Sequence, residues 1–327
     1  MRTRKDRQEI KALAKERFYA RRGTAILLFF VYMLMAFLFG IIDGITEQLA
    51  GDAVHHIAYW IGTLLLGVIT IHMYGAYLNI YEGKEAKTGM LFSGFAVNFW
   101  RKLGGYLWVI LLIVLWALPG IFLFFIGMVL GIDIWVNPSP WMPVRASTAE
   151  IFVSAGFLYS GIALIVALAG FKGLGYSFAP YILANYPDVK AREAVRLSIR
   201  MATGYRGDLF VMSLSFFAWY ALALAPIVAL LVPGLILIEY ANYGLGMLLT
   251  IIGGVGSALI YILFVGPYTM LAYAGNFVEL RDRAFRSGEI SPMELGIIAE
   301  QGESEAETAA PLQEERSSIE TTEGNER

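Results

Sequence analysis

The apolar positions of the chain fall into six long runs that are separated by shorter polar stretches. Each run approaches or exceeds the roughly 20 residues that a helix needs to cross about 30 Å of hydrocarbon. The pattern therefore predicts an all-α fold, a polytopic membrane helix bundle with about six transmembrane helices within residues 25–288. The predicted spans are 25–42, 57–78, 106–130, 152–170, 209–238 and 246–274.

The first run is the shortest and has an alternative interpretation as a signal peptide. Its apolar stretch is longer than the roughly 7–15 residues of a signal-peptide core. Its basic leader is long, and no clear small-residue cleavage site follows it. We therefore expect an uncleaved span. The composition agrees with a membrane protein, because 57% of residues are hydrophobic and 16% are charged, against about 25% charged residues in soluble domains.

The basic residues predict the orientation. Residues 1–24 carry nine Lys and Arg, 79–105 carry four, 171–208 carry six and 275–298 carry three. The opposite connections carry only Arg145. Lys and Arg are enriched in cytoplasmic loops. The sequence thus predicts a multi-pass protein of the cell (cytoplasmic) membrane with both termini in the cytoplasm.

Prolines interrupt several of the predicted spans. Pro119 lies in the third, Pro226 and Pro233 in the fifth and Pro267 in the sixth. Proline removes a backbone donor and clashes with the preceding turn, so each predicts a kink. The kinks either belong to ordinary helix packing or mark a discontinuous helix that lines a substrate cavity.

Polar segments lie at both ends of the chain. Residues 1–24 are basic, rich in helix formers and apolar at helical spacing. They predict a helix on the anionic inner leaflet, with a simple charged anchor as the alternative. Residues 299–327 are acidic and contain almost no large apolar side chains, which predicts a disordered tail.

The segment 188–203 has the clearest amphipathic pattern in the chain. Arg192, Arg196 and Arg200 share one side of a predicted cytoplasmic helix, and small and aliphatic residues cover the other side. Asp188 is the expected N-cap, and Gly204 is the expected stop. The apolar side either packs on the ends of the spans or lies along the membrane. In both cases the arginines are candidates for lipid-phosphate or partner contacts.

Three spans end with similar sequences, which is a weak internal repeat. Tyr77 to Glu82, Tyr181 to Asp188 and Tyr273 to Glu279 each contain a Tyr, then an Asn, then an aromatic residue and an acid. Either interfacial composition has converged, or the hairpins are duplicated about an axis along the membrane normal.

Candidate chemistry is sparse. The chain has no cysteine, which excludes thiolate catalysis and Cys-based metal sites. His55 and His56 are adjacent in an outer loop and do not share a helical face, so no metal site is expected. His72 lies within the second span and is a candidate intramembrane polar site, with a hydrogen-bonded structural histidine as the alternative. No catalytic, cofactor-binding or metal motif is found. We therefore expect no enzyme, no cofactor and no nucleic-acid partner.

Small residues recur at spacings that let helices approach closely. Gly40 and Gly44, Gly127 and Gly131, and the cluster 253–258 match this pattern. We expect most of them to pack helices within one chain. They also allow a homo-oligomer.

The strongest motif-like stretch of the chain is residues 174–220. It contains Tyr176-Ser177-Phe178, Pro180-Tyr181-Ile182-Leu183-Ala184-Asn185, Pro187, Glu193-Ala194-Val195, Ser198, Met201, Gly204, Asp208-Leu209-Phe210, Leu214-Ser215-Phe216 and Trp219. These positions resemble a prokaryotic membrane family that is catalogued as domain of unknown function 975. The resemblance covers most of residues 1–288 and implies a six-span cytoplasmic-membrane protein. The family pattern often has His-Lys after Gly204, where this chain has Tyr205-Arg206, and no catalytic residues are carried over.

Two functional hypotheses follow. The first is a non-enzymatic integral membrane protein that binds membrane lipids or membrane-protein partners in envelope homeostasis or export. The alternative is a transporter or permease for a small hydrophobic or anionic solute. A polar cavity near the bilayer midplane, lined by His72 and the proline breaks, would favour the transporter.

Overall fold

The structure is a computed structural model that describes residues 4–49, 51–131, 147–240 and 242–297. Within these ranges the chain forms helices and no strand. Arg145 and the tail predicted to be disordered, 299–327, lie outside the described residues. The prediction of an all-α fold is confirmed.

The helical segments cover nearly all of the described residues. Short π-helical turns, Val166–Gly170 and Tyr261–Val265, join α6 to α7 and α12 to α13. Single 3-10 turns occupy Thr88–Phe92 and Pro292–Leu295. The α-helices, in chain order, are α1 Arg4–Ala20, α2 Arg22–Leu49, α3 Asp52–Tyr81, α4 Ser93–Ala96, α5 Phe99–Leu130, α6 Thr148–Ile165, α7 Phe171–Tyr176, α8 Ala179–Asn185, α9 Ala191–Ala202, α10 Arg206–Leu214, α11 Phe217–Tyr240, α12 Tyr243–Ile260 and α13 Gly266–Arg286.

Among the described residues, six helical stretches are long and apolar enough to cross a membrane. Each predicted span lies inside one of them, and no stretch lacks a predicted span. The observed helices extend beyond the predicted spans because their polar ends continue the helix outside the apolar run. The six stretches are Arg22–Leu49, Asp52–Tyr81, Phe99–Leu130, Thr148–Asn185, Arg206–Tyr240 and Tyr243–Arg286.

Consecutive spans pair as three hairpins, α2 with α3, α5 with α6, and α11 with α12. Glycines allow the closest approaches. A Cβ on Gly120 of α5 would lie 2.6 Å from the carbonyl oxygen of Gly161 on α6, and a Cβ on Gly246 of α12 would lie 2.5 Å from that of Gly234 on α11. Small residues are what let helices approach without a hydrophobic driving force in lipid.

The buried side chains concentrate where the second half of α3, α8 and α13 meet. We call this the core end of the bundle; α1 and α9 pack around it. Away from it, large apolar side chains are exposed, as in Phe122 (68%) and Phe152 (73%). Such surfaces suit hydrocarbon, where an apolar side chain gains nothing by leaving lipid.

The leader helix packs its apolar side against the bundle. Ile10, Ala14 and Phe18 of α1 are buried in the core. Ile10 packs against α13, because a Cβ added to Gly275 would lie 2.8 Å from its Cγ2 atom. The helix is fixed to α10 as well, since Arg7 forms an ion pair of 3.4 Å with Asp208. The bundle therefore covers the apolar side of this helix, and its place on the inner leaflet stays a prediction.

The amphipathic segment 188–203 is helical over a shorter range than predicted. Helix α9 begins at Ala191 with Lys190 as its N-cap residue, so the assignment of Asp188 as the N-cap is wrong. Arg101 donates hydrogen bonds to the carbonyls of Leu183 (2.6 Å) and Val189 (2.5 Å), which holds the residues before α9 in a turn. Gly204 follows the helix with φ +83°, as a stop residue should.

The proline sites show ordinary packing. Helices α5 and α11 continue through Pro119, Pro226 and Pro233. Next to Pro226, the backbone N–H of Ile227 donates to the hydroxyl of Ser257 on α12 (3.0 Å). A side chain of the neighbouring helix thus accepts from a backbone donor beside the proline, which is one way that membrane helices tolerate proline.

Only part of the small-residue prediction holds within the chain. A Cβ on Gly127 would meet the backbone nitrogen of Leu158 at 2.7 Å, and one on Gly253 would meet Leu230 at 3.0 Å. Gly40 and Gly44 of α2 face open space. This pair is an exception to the expected packing within the chain, and a homo-oligomer through it stays a prediction.

The contact between α5 and α6 gives a test of the hairpin packing. A Cβ on Gly161 would lie 2.6 Å from the backbone nitrogen of Phe124. We expect Gly161→Leu to lower the free energy of unfolding by about 1–3 kcal/mol through overpacking. The measurement is thermal unfolding in detergent. Gly156→Leu, on the same helix but facing open space, is the control, and equal losses in the two variants would contradict the packing.

Candidate functional site

The three candidate arginines of α9 have different surroundings. Arg196 pairs with Glu193 on its own helix at 2.9 Å and is 70% exposed. Arg200 pairs with Glu294 at 2.6 Å and also donates to the Glu289 carbonyl. Arg192 lies over the Trp108 ring, 4.7 Å from its centroid. The arginines share a helix side as predicted, but two of the three are already held by carboxylates.

Two further cations lie on aromatic rings in the same region. Lys172 Nζ is 4.1 Å from the centroid of the Trp116 ring, and Arg206 is 5.4 Å from that of Phe171. We call Lys172, Arg192 and Arg206, with the three rings beneath them, the cation–aromatic surface. Within the described part of the chain, none of these three cations has an ion pair or a side-chain hydrogen bond. They are therefore available to an anion.

The position of this surface depends on a buried serine. The hydroxyl of Ser198 on α9 donates to the carbonyl of Gly175 (2.8 Å) and accepts from the backbone N–H of Phe178 (3.1 Å). These two groups lie at the break between α7 and α8, where helix ends leave backbone groups unpaired. The contact fixes α9 on the second hairpin and so brings Arg192 beside Trp108.

Sequence reasoning missed Lys172 and Arg206. Lys172 follows the end of the fourth predicted span by two residues, and Arg206 precedes the fifth by three. A basic residue at a span end was the available signal. Its specificity was low, because every span of this topology ends beside basic residues.

His72 is buried, with 7% exposure, and lies against the 88–96 segment. Its Nδ1 is 3.1 Å from the Ser93 hydroxyl, and its ring fills the space beside Gly94. No carboxylate pairs with it among the described residues. The geometry fits a hydrogen-bonded structural histidine, and a functional role for His72 stays a prediction.

Of the two adjacent histidines, His55 has a local polar partner. His55 Nδ1 is 3.3 Å from Asp43 Oδ1, across the first hairpin. The described residues contain no group of three side chains that could hold a metal ion.

The three repeat-like segments converge at the core end. The Tyr181 and Phe277 rings stack with centroids 5.1 Å apart, and Gly75 of α3 faces Asn185 of α8. Beneath them, Arg281 of α13 contacts Glu82 at 2.7 Å and the Tyr186 hydroxyl at 3.2 Å. Glu82 and Tyr186 belong to the first two segments, and Arg281 follows the third by two residues. The three residues do not hold equivalent positions in the segments, and the duplication stays a prediction.

A cavity of about 810 Å³ adjoins this cluster. Its charged lining residues are Glu82, Lys84, Asp188 and Arg281, with both signs present. Arg281 and Lys84 already contact Glu82, at 2.7 Å each. Glu82, Lys84 and Arg281 therefore satisfy one another's charge, and we interpret the cluster of Glu82, Tyr186 and Arg281 as a clasp that joins the three hairpins.

The clasp perturbs one carboxyl group. Burial alone would raise the pKa of Glu82. Hydrogen bonds and positive charge from Lys84 and Arg281 lower it by more, so the pKa of Glu82 lies below the usual 4.5. A carboxyl group whose pKa is lower when folded stabilises the fold above its unfolded pKa. That stabilisation is lost as the pH falls through the folded pKa.

The fold defines the class of protein. Within the described residues, the chain is a helical bundle with six helices able to cross a membrane by length and composition. Basic residues gather around its core end. The chain belongs to the family described as "Protein of unknown function (DUF975)", whose model matches residues 1–284. The resemblance carried by residues 174–220 is confirmed. Neither a curated protein nor a solved structure matches the chain.

The pKa of Glu82 gives a test of the clasp. We expect Glu82→Gln to be less stable than the wild type at pH 7, with the difference shrinking as the pH falls below about 4.5 and Glu82 protonates. The measurement is thermal unfolding in detergent across pH 3–7. Glu85→Gln, which removes an exposed carboxylate 3.7 Å from Lys87, is the control. A stability difference that does not change with pH would contradict the role of the charge.

Proposed function

We propose that the protein is a non-enzymatic membrane protein that binds anionic lipid headgroups at the cation–aromatic surface, in envelope homeostasis or export. The observation that carries the proposal is the set of three cations, Lys172, Arg192 and Arg206, that lie on aromatic rings without a carboxylate partner. Other basic side chains of the same region, such as Arg196 and Arg200, have one.

The energetics favour an anion at this surface. A cation over an aromatic ring gains about 0.5–2 kcal/mol and keeps its charge. Each Lys or Arg near an anionic membrane surface adds about 1 kcal/mol of attraction. Trp108 lies near the start of the third predicted span, and tryptophan prefers the membrane–water interface. Arg192 over the Trp108 ring fits a phosphate at headgroup depth.

The orientation belongs to the same proposal. Basic residues surround the core end. They lie on α1, in the 82–98 connection and at the end of α13, which are all beside it. We propose that the core end faces the cytoplasm of the cell membrane, because Lys and Arg concentrate on that side. The cation–aromatic surface would then meet the inner leaflet, where anionic lipids are found.

Transport of a small hydrophobic or anionic solute is the second candidate. Its expected mark was a midplane cavity lined by His72 and by the proline breaks. Neither the cavity beside the clasp nor the cavity described in the next subsection is lined by these residues. Lipid binding has the better support for this reason.

A charge-matched pair of variants tests lipid binding. We expect Lys172→Gln with Arg206→Gln to weaken binding of phosphatidylglycerol by about tenfold to thirtyfold, since two cations are lost at about 1 kcal/mol each. Binding of phosphatidylcholine should not change. The measurement is lipid titration in detergent, followed by native mass spectrometry.

Arg196→Gln with Arg286→Gln is the control, because it removes the same net charge from exposed positions. Equal affinity of the two double variants for phosphatidylglycerol would show that net charge alone attracts lipid. That result would reject the site.

The orientation can be tested by cysteine labelling, because the chain has no cysteine. We expect a membrane-impermeant maleimide to label Asp52→Cys in intact cells and to label Glu289→Cys only after the membrane is opened. Both positions are exposed, so labelling of both in opened membranes is the control. Labelling of Glu289→Cys in intact cells would reverse the proposed orientation.

A further inference from the structure

A second cavity, of about 390 Å³, lies where the three hairpins meet, apart from the clasp. Helices α3, α5, α8, α10 and α13 all contribute to its wall. Its volume falls within the roughly 300–1,000 Å³ of small-molecule sites. Residues that define its wall are Tyr74, Val109, Ile113, Tyr181, Ser213 and Tyr273.

The lining is apolar with a few hydroxyl groups. No Asp, Glu, Lys, Arg or His lines the cavity, and its polar side chains are tyrosines and serines. Ligand sites have this composition, in which aromatic and aliphatic walls provide area and a few polar groups fix orientation. The wall favours an uncharged group that accepts a hydrogen bond from a hydroxyl.

Tyr181 is the side chain that points to a ligand. It is 1% exposed, and its hydroxyl has no hydrogen-bond partner among the described residues. Its ring is held on both sides, stacked on Phe277 at 5.1 Å and edge-on to Tyr74 at 5.0 Å. The hydroxyl therefore cannot readily turn away to find another partner.

A comparison within the wall makes the exception clear. The hydroxyl of Tyr273 has Ser213 and Tyr220 as side-chain hydrogen-bonding neighbours. Elsewhere in the core, the hydroxyl of Tyr77 donates to the Ala25 carbonyl at 2.6 Å. A buried hydroxyl without a partner is unfavourable, whereas Phe at position 181 would keep both ring contacts. A ligand that accepts a hydrogen bond from this hydroxyl would remove that cost.

We propose that this cavity binds the acyl ester group of a membrane lipid, with the Tyr181 hydroxyl donating to the ester carbonyl and the apolar wall holding the chain. The proposed entry for the lipid is at Ser177, an exposed lining residue between α7 and α8. An ester carbonyl is an uncharged acceptor attached to an apolar chain, which is the chemistry the wall favours.

The ester can come from two kinds of lipid. It can belong to an uncharged glyceride, or it can be the acyl part of an anionic lipid whose phosphate lies on the cation–aromatic surface. Lys172 directly precedes the lining residue Gly173, and Arg206 lies one helical turn before the lining residue Leu209. Only the second source rests on the proposed function.

Titration with two short lipids tests the proposal. Dioctanoylglycerol is the uncharged probe, and dioctanoyl phosphatidylglycerol is the anionic one. We expect wild-type protein in detergent to bind dioctanoylglycerol in a one-to-one adduct by native mass spectrometry. Tyr181→Phe should weaken that binding by about fivefold, the value of one hydrogen bond. Val109→Phe should abolish it by filling the cavity.

Controls separate this site from the headgroup site. Tyr159→Phe, which changes an exposed tyrosine on α6 (71%), should leave binding unchanged. Lys172→Gln with Arg206→Gln should weaken only the anionic probe if its headgroup uses the cations. The same double variant should leave dioctanoylglycerol binding intact, whichever lipid supplies the ester. Loss of the headgroup site therefore does not imitate loss of the cavity site.

Two outcomes would overturn the proposal. In the first, wild-type protein binds no dioctanoylglycerol and Tyr181→Phe is more stable than wild type. The Tyr181 hydroxyl would then destabilise the fold without binding a ligand. The other is equal affinity of the wild type, Tyr181→Phe and Val109→Phe for dioctanoylglycerol, because the lipid would then bind elsewhere.

Discussion

Packing at one end of the bundle holds the three hairpins together. In hydrocarbon, apolar side chains gain little by leaving lipid for protein, so the exposed outer parts of the spans provide little force for assembly. At the core end, α3, α8 and α13 bury tyrosine, phenylalanine and aliphatic side chains against one another and against α1 and α9. The clasp around Arg281 adds polar contacts there. Both proposed sites are built on this base.

The six spans could be predicted from sequence because length and hydropathy alone define them. Helix α9 could be predicted because its charges and apolar residues follow the helical period. Its start could not, because Arg101, distant in sequence, holds the carbonyl of Val189 and overrides the capping preference of Asp188. The two proposed sites could not be predicted either, because they also depend on contacts between residues that are distant in sequence. Lys172 depends on Trp116, and Tyr181 on Phe277, and no local pattern links these pairs.

The two proposed sites share the second hairpin and the helices that follow it. The break between α7 and α8 allows Ser198 to fix α9 and also turns Tyr181 toward the other hairpins. A continuous helix in this place would have no free backbone groups for Ser198. The local interruption, rather than any kinked proline, is thus the irregular feature that shapes the surface and the cavity together.

The π-helical turns at Val166–Gly170 and Tyr261–Val265 have a consequence for how the chain can vary. Such a turn accommodates an extra residue in a helix, and each residue rotates the following side chains by about 100°. Above the turn in the sixth span, Gly253 faces α11; below it, Gly275 faces α1 and α3. One continuous span therefore presents different sides to two neighbours. An extra residue between this turn and the core would rotate the side chains that follow it by about 100°, away from their contacts with α1 and α3.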